Sequence, residues 1–495
     1  MLINVIKRLT KYKKNIVLTC LLMARQGSSE LMRNATGFLG SLYNSLAGQA
    51  PAYSIAGGAA LIMGSAYAAA PLAMLLTLLG VLAVVYSIFV LARKYPHAAS
   101  FYAYVTNTIN ARTGFVNGIV YAVFYSIVGV GSVAIAFAYL GTEGIYAVTG
   151  HVINPLILLP IPIVLALIPA VLGVRPSVRT EMTLTSIEIA VLLIFVILSF
   201  IANTSRISLF PFTVQGTFAV TPSGILTALS GGLIFAITYF MGFEVSTQIS
   251  EEVRDPRKSV PTSTLWATVF MGILYILVTY AILLNIGYTQ NAINNFVSLA
   301  EGMGPNPVYT LIRHYLGTAG LLLFAISVMI SVFGCYLATL NATARMLYGM
   351  ARDGLLPTWL AETHPRYKSP HKALYLSTVV AVLTIVLAYM AAYISGYIKP
   401  LELTYNAMED AYAIDSLYYV LSLILVAAGA LKLTRWSGRI AIAIGMAILA
   451  ITFYYSIVSI WYLTILVASI ALTIVVSYAI NPRIRKIKIT ICPYC

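Results

Sequence analysis

The chain reads as an all-α, polytopic membrane protein of about twelve transmembrane helices, on three observations. Of its 495 residues, 60% are hydrophobic and only 9% charged, with a mean hydropathy of +0.90; soluble domains carry roughly 25% charged residues. Apolar stretches of bilayer length, about 20 residues, fall at 40–63, 69–92, 114–140, 154–173, 183–202, 224–248, 263–286, 318–342, 374–396, 412–431, 439–456 and 459–480. With the N-terminus set inside, 27 of the 30 Lys and Arg residues fall in inner loops, leaving Arg206, Arg313 and Lys399 outside. That asymmetry is expected when both termini lie in the cytoplasm, and one missed helix would scramble it.

The net charge of +15 is spread over seven short inner stretches, the tail among them, rather than along one stripe, so it marks a membrane face and not a nucleic-acid footprint. The expected partner of those loops is the lipid bilayer, through anionic headgroups. Four cysteines (Cys20, Cys335, Cys492, Cys495) make no disulfide framework, and the five histidines lie in or beside loops on both faces. No metal and no cofactor are expected, and the Cys492–Cys495 pair reads as part of a basic tail, 481–495. A membrane enzyme would need paired mid-span acids, a histidine cluster or a Gly-x-Ser-x-Gly elbow; none occurs, and neither does a phosphate-binding Gly-x-x-x-x-Gly-Lys-Ser/Thr loop.

Residues 1–32 form an N-terminal extension: Lys11 to Lys14 precede a weak apolar run, Ile16 to Met23, set aside from the fold. Segment one then reads Ala47-Gly48-Gln49-Ala50-Pro51-Ala52-Tyr53-Ser54-Ile55-Ala56-Gly57-Gly58, with a proline and two adjacent glycines that weaken a continuous helix. Segments two to five follow as unbroken apolar runs. Segment six starts as an apolar helix at Leu233 to Ile237, is disturbed at Thr238 to Glu244, and ends in a charged run, Glu251 to Pro261. In hydrocarbon, interrupted backbone is tolerated only where it lines a cavity or is buried in protein. If segments 1–5 (33–202) and 6–10 (224–431) are two halves, the interruptions occupy equivalent first positions, and an odd helix number makes the halves inverted. Segments 11 and 12, at 439–480, stand outside the repeat. For Gly57-Gly58 alone, close helix packing is the better account; the pair of interruptions favours a transport site.

Three stretches carry a resemblance to a known family. They are Gly242-Phe243-Glu244 running into Glu251-Glu252-Val253-Arg254-Asp255-Pro256 and Pro261; Leu340-Asn341-Ala342-Thr343-Ala344-Arg345-Met346-Leu347-Tyr348-Gly349-Met350-Ala351-Arg352-Asp353-Gly354 with Leu356-Pro357; and Tyr95-Pro96 before Phe101-Tyr102-Ala103-Tyr104. On these the chain resembles permeases of the amino acid–polyamine–organocation superfamily over about 33–480. The resemblance implies two inverted five-helix repeats plus two extra helices, a leucine-transporter-like fold. It also implies secondary active transport of an amino acid by alternating access. The usual glycine-rich signature of segment one is replaced by Pro51 to Gly58, which leaves the substrate open; a polyamine transporter, an exchanger and a non-transporting sensor are the alternatives.

Broken helices offer free N–H groups to a carboxylate and free C=O groups to an ammonium. The resemblance puts these roles on Ala52, Tyr53, Ser54, Ile55, Ala56 and Gly57 and on Tyr239, Phe240, Met241, Gly242 and Phe243. The carboxylate is expected on the backbone of Ser54 to Gly57 and the substrate side chain against Phe240, Met241 and Phe243. Ionisable residues inside spans are costly and so are functional candidates. Glu188, inside segment five, is expected to carry a coupling proton, favoured over sodium, or to help hold a cation. Ser327 and Ser331, four apart on segment eight, are candidate cation ligands. Glu244 is a candidate gate or structural ion pair, with Arg254 or Arg345 as partner. Asp415 opens segment ten and is expected at the interface.

Overall fold

The computed structural model describes residues 30–301, 306–456, 460–480 and 484. Cys20, Cys492, Cys495 and nearly all of the N-terminal extension lie outside the described residues. Helices fall on all twelve expected segments. The first is split into α1 (Phe38–Gln49) and α2 (Pro51–Ala66). Then come α3 (Ala70–Lys94), a short α4 (Ser100–Thr108) and the long α5 (Ala111–Thr149). The half closes with α6 (Pro160–Leu172) and α7 (Val174–Ala202). The second half opens with α8 (Pro222–Thr238) and continues through α9 (Pro256–Ile286), α10 (Gln290–Glu301), α11 (Pro307–Arg352), α12 (His371–Ile394) and α13 (Pro400–Ala430). The last two are α14 (Trp436–Ser456) and α15 (Ile460–Ala479).

Local chemistry sets the breaks. Pro51 has no N–H to give and crowds the residue before it out of the α region. Ala50 accordingly sits left-handed at φ 45°, ψ 71°, and Pro51 starts α2 as its first residue. The break therefore falls at Ala50 and not at Gly57-Gly58, which are helical. In segment six, Tyr239 to Glu244 form successive turns, with Gly242 at φ 93°, a conformation that glycine adopts at least cost. Gly317, at φ 64°, kinks α11 and sets its first turns apart from the rest of the helix. Residues Val120–Ile127 of α5 are wound as a π-helix, a local widening often found at functional sites.

Several spans start earlier than hydropathy suggests: α7 at Val174, α9 at Pro256 and α13 at Pro400. Each carries charge in its first turns: Arg175 donates to Ala35 O at 3.2 Å, Arg257 and Lys258 are exposed, and Glu402 pairs with Lys399 at 3.2 Å. α7 shows the resulting two-sidedness. Ile187, Ile194, Ile197 and Ile201 are exposed, as a lipid-facing stripe must be, while Glu181, Thr185, Glu188, Leu192 and Phe195 are buried. α3 packs on α9, the two second helices of the halves, and α5, α11 and α13 form the scaffold beside the broken segments.

The face that carries most Lys and Arg, the basic side, is sealed. Glu252 accepts from the Arg345 Nε and, at 3.2 Å, from its second terminal nitrogen, both side chains being almost wholly buried. Glu251 takes Arg352 in a two-pronged pair at 2.6 and 2.7 Å and also accepts from Ala98 N at 2.9 Å. The chain before α1 is tied down there too, with Ala35 N and Thr36 N donating to Glu252 O at 2.8 and 3.1 Å.

Candidate functional site

The two breaks touch backbone to backbone. A β-carbon placed on Gly242 would lie 2.4 Å from Gly48 O, and one on Gly48 would lie 2.6 Å from Gly242 O. Ser45 fastens the same junction, donating to Phe243 O at 2.6 Å and to Ser246 Oγ at 2.8 Å. Gly58 has a similar reason: its β-carbon would sit 2.4 Å from the Tyr239 ring, whereas at Gly57 nothing comes nearer than 3.7 Å.

Two cavities flank this junction. The smaller, about 40 Å³, reaches Gly48, Ala50, Ser132, Gly242 and Asp415, with room for a few waters. The larger, about 390 Å³, lies between α2, α8 and α13, within the usual size of small-ligand pockets. Tyr53, Ser54, Thr238, Met241 and Tyr412 line both. Gly57, Leu61 and Glu409 on the larger cavity's wall are exposed, so it opens away from the sealed basic side. Tyr239, Tyr405, Tyr412 and Tyr419 converge on its wall among aliphatic and small residues.

The expected residues divide accordingly. Tyr53, Ser54, Gly57, Tyr239, Met241 and Gly242 line a cavity. Ala52, Ile55 and Ala56 do not; they are buried on the other face of α2. Phe240 and Phe243 also turn away from both cavities, and Phe240 packs edge-on to Tyr275 at 5.6 Å. A broken helix has no single period, so alternation could not tell which of its aromatics face inward. The N–H groups of Ser54 to Gly57 are not the free ones either, since Ser54 N already bonds Ala50 O at 2.9 Å.

The free donors at the start of α2 belong to Ala52 and Tyr53, and the protein fills both. Ala52 N donates to Glu188 Oε2 at 3.3 Å and Tyr53 N to Ser331 Oγ at 3.1 Å. Glu188 thus stands at the positive end of a helix dipole. Of the two serines, Ser331 meets the break, while the Ser327 hydroxyl bonds its own helix at Leu323 O, 2.8 Å away.

Glu244 pairs with neither Arg254 nor Arg345. Arg345 is held by Glu252, and Arg254 Nε points to Asn34 O. Glu244 is instead caged by phenols: Tyr121 and Tyr419 donate at 2.8 Å and Tyr125 at 3.4 Å. Asp415 is also displaced from its expected place. It lies midway along α13, only 2% exposed, accepting from Ser132 Oγ at 2.8 Å beside the smaller cavity. Sequence reasoning missed it because Glu402, Glu409 and Asp410 depress hydropathy in the turns before it. No group of three metal-ligating side chains occurs among the described residues.

Comparison with known proteins follows this geometry. The chain is 27% identical to the methylthioribose transporter of Bacillus subtilis over 210 residues, 42% of this chain and 40% of that transporter. It is 25% identical to the branched-chain amino acid permease BcaP of the same organism over 304 residues, 59% of this chain and 62% of the permease. Each match spans less than two thirds of the relative's own length. Among solved structures, MhsT in complex with L-phenylalanine superposes with a TM-score of 0.57 at 14% identity, covering 86% of this chain and 98% of MhsT, a likeness of fold. Residues 41–488 match the family described as amino acid permease, and the chain, a multi-pass membrane protein, belongs to that family.

Proposed function

We propose that the chain moves amino acids across the cytoplasmic membrane together with protons, by alternating access around its two breaks. The observation that carries this reading is the Glu188 carboxyl on the Ala52 N–H. The exposed donors of a helix start favour an anion, and here the protein's own acid holds that place. A zwitterionic substrate needs the same donors for its carboxylate. Protonation of Glu188 removes the competing charge and frees them, so proton and substrate favour one another's binding, as linked sites must. The ammonium then meets the carbonyls around Tyr53 and Tyr239 and the carboxyl of Asp415. The sealed basic side supports an outward-facing state with cytoplasmic termini. Inward opening would part Arg345 and Arg352 from Glu252 and Glu251 as the repeats, 33–202 and 224–431, shift against each other.

Purified protein in liposomes should accumulate radiolabelled amino acids under an inward-directed proton gradient and stop when a protonophore is added. Glu188→Gln should still exchange substrate but lose its pH dependence. Sodium-dependent uptake indifferent to pH, or pH-driven uptake intact in Glu188→Gln, would overturn the coupling scheme.

Asp415 favours a second reading, an organic amine lacking a carboxylate. Such a substrate would leave Glu188 on Ala52 and seat its ammonium against Asp415. Uptake of labelled spermidine that amino acids do not compete, abolished in Asp415→Asn, would decide for it.

A further inference from the structure

Two buried acids on α7 each hold a different half of the broken first segment. Glu188 meets Ala52 N at the start of α2, whereas Glu181 accepts from Asn44 Nδ2 of α1 at 2.9 Å. Seven residues apart, they share one face of the helix, about 10 Å from each other along its axis. Thr185 stands between them on that face. All three are buried: Glu181 and Thr185 are 0% exposed and Glu188 1%. Packing alone does not explain them, because an acid within a span costs roughly 2.5–3.5 kcal/mol on insertion scales.

Their hydrogen bonding is incomplete in a telling way. Glu181 Oε1 and Asn44 Oδ1 have no hydrogen-bond partner among the described residues. Thr185 neighbours the Glu188 carboxyl, yet its hydroxyl makes no hydrogen bond of ordinary geometry. A buried acceptor left without a donor costs about 1–3 kcal/mol, and protonation turns a carboxyl oxygen into a donor. The groups that face the pair are few. From α11, Arg345 acts on Glu181 and Cys335 on Glu188; from α9, Tyr275 faces Glu188; α1 presents Asn44, and α6 has no titratable side chain. Arg345 is the cation that seals the basic side with Glu252.

We propose that Glu181 is a second proton site, which receives the coupling proton from Glu188 through Thr185 on its way to the basic side. The Glu188 O–H passes its proton to Thr185 Oγ1 as the Thr185 hydroxyl proton passes to Glu181 Oε1. Glu188 returns as a carboxylate to Ala52 N, and the threonine hydroxyl is restored. The proton then lies beside Asn44 in the inner half of segment one, next to the Arg345 seal. This step rests on the reading that Glu188 binds the coupling proton.

The test uses full-length protein in liposomes and a radiolabelled mixture of the protein amino acids, comparing exchange with accumulation driven by a pH gradient. Glu181→Gln should exchange label at the wild-type rate but lose about tenfold or more of the driven accumulation, and Glu181→Asp should restore most of it. Driven accumulation unchanged in Glu181→Gln would overturn the relay. Exchange and accumulation lost together, without rescue by Glu181→Asp, would make Glu181 structural and overturn it as well. Wild-type vesicles that exchange label but ignore the gradient would overturn the coupling reading itself, and the relay would fall with it.

Discussion

Gly48 and Gly242 are the point at which the two broken segments touch: each occupies the space in which the other's β-carbon would have to lie, 2.4–2.6 Å from a carbonyl oxygen. The obstruction is backbone on both sides, so no rotamer change can relieve it. Gly242 carries a second constraint, its φ of 93°, which costs a residue with a β-carbon about 1–2 kcal/mol.

Gly242→Ala should therefore be the more damaging of the pair. Both variants should lower the apparent unfolding temperature in detergent and reduce transport in liposomes, with Gly242→Ala losing at least about 2 kcal/mol by the combined clash and strain. Thermal unfolding followed by size-exclusion chromatography would check it. Wild-type stability in Gly242→Ala would mean that the two breaks are not packed as described.

The seal on the basic side makes a pH prediction. Burial alone would raise the Glu251 carboxyl, but the Arg352 guanidinium outweighs it and, with His97 and Ala98 N, lowers it from 4.5 to about 2. A depressed carboxyl contributes stability above its unfolded pKa and loses it as pH falls through the folded one. The contribution should be fully present above about pH 4.5 and vanish towards pH 2. Glu251→Gln should thus lower the unfolding temperature at pH 7 yet converge on wild type as the pH approaches 2. A gap that persists at the acid end would rule out the ion pair as its source.

How much of this was legible beforehand depended on whether the signal was local. Pro51 forces Ala50 out of the helix by contact with its immediate neighbour, and Gly242 permits a turn on its own, so both interruptions could be read in order along the chain. Glu188 was visible as an acid within an apolar run. Asp415 and Glu181 were not, because neighbouring charges made their turns look like loops. Only the packing of α1, α5 and α11 around those turns buries them. The partner of Glu244 was misassigned for a related reason. Sequence offers the nearby arginines, but Arg345 is claimed by Glu252, and the phenols that replace it come from α5 and α13, more than a hundred residues away.

The phenol cage can be dissected by a double-mutant cycle. Tyr419→Phe leaves Glu244 Oε2 without its 2.8 Å donor and should cost about 1–3 kcal/mol, the range for a buried polar group left unsatisfied. Glu244→Gln should cost less, since an amide keeps one acceptor and gains donors. The double variant should be less destabilised than the sum of the two, because the single changes share one interaction. Strict additivity in unfolding temperature would show that Tyr419 and Glu244 do not act on each other.

The adjacent glycines of α2 separate packing from pocket. At Gly58 an added methyl meets the Tyr239 ring at 2.4 Å, and that ring is buried against Tyr275 at 5.0 Å. The ring must shift, and because Tyr239 walls the larger cavity, the pocket changes shape with it. At Gly57, exposed to the same cavity, the nearest atom is 3.7 Å away, and helix propensity favours alanine over glycine by about 1 kcal/mol. Gly57→Ala should match or exceed wild type in unfolding temperature, with at most a modest rise in the KM for transport. Gly58→Ala should lower the unfolding temperature and raise KM about tenfold, as a displaced wall in a close-fitting site does. Equal behaviour of the two variants would mean that Tyr239 does not pack on Gly58, and that the adjacent glycines serve only to let helices approach.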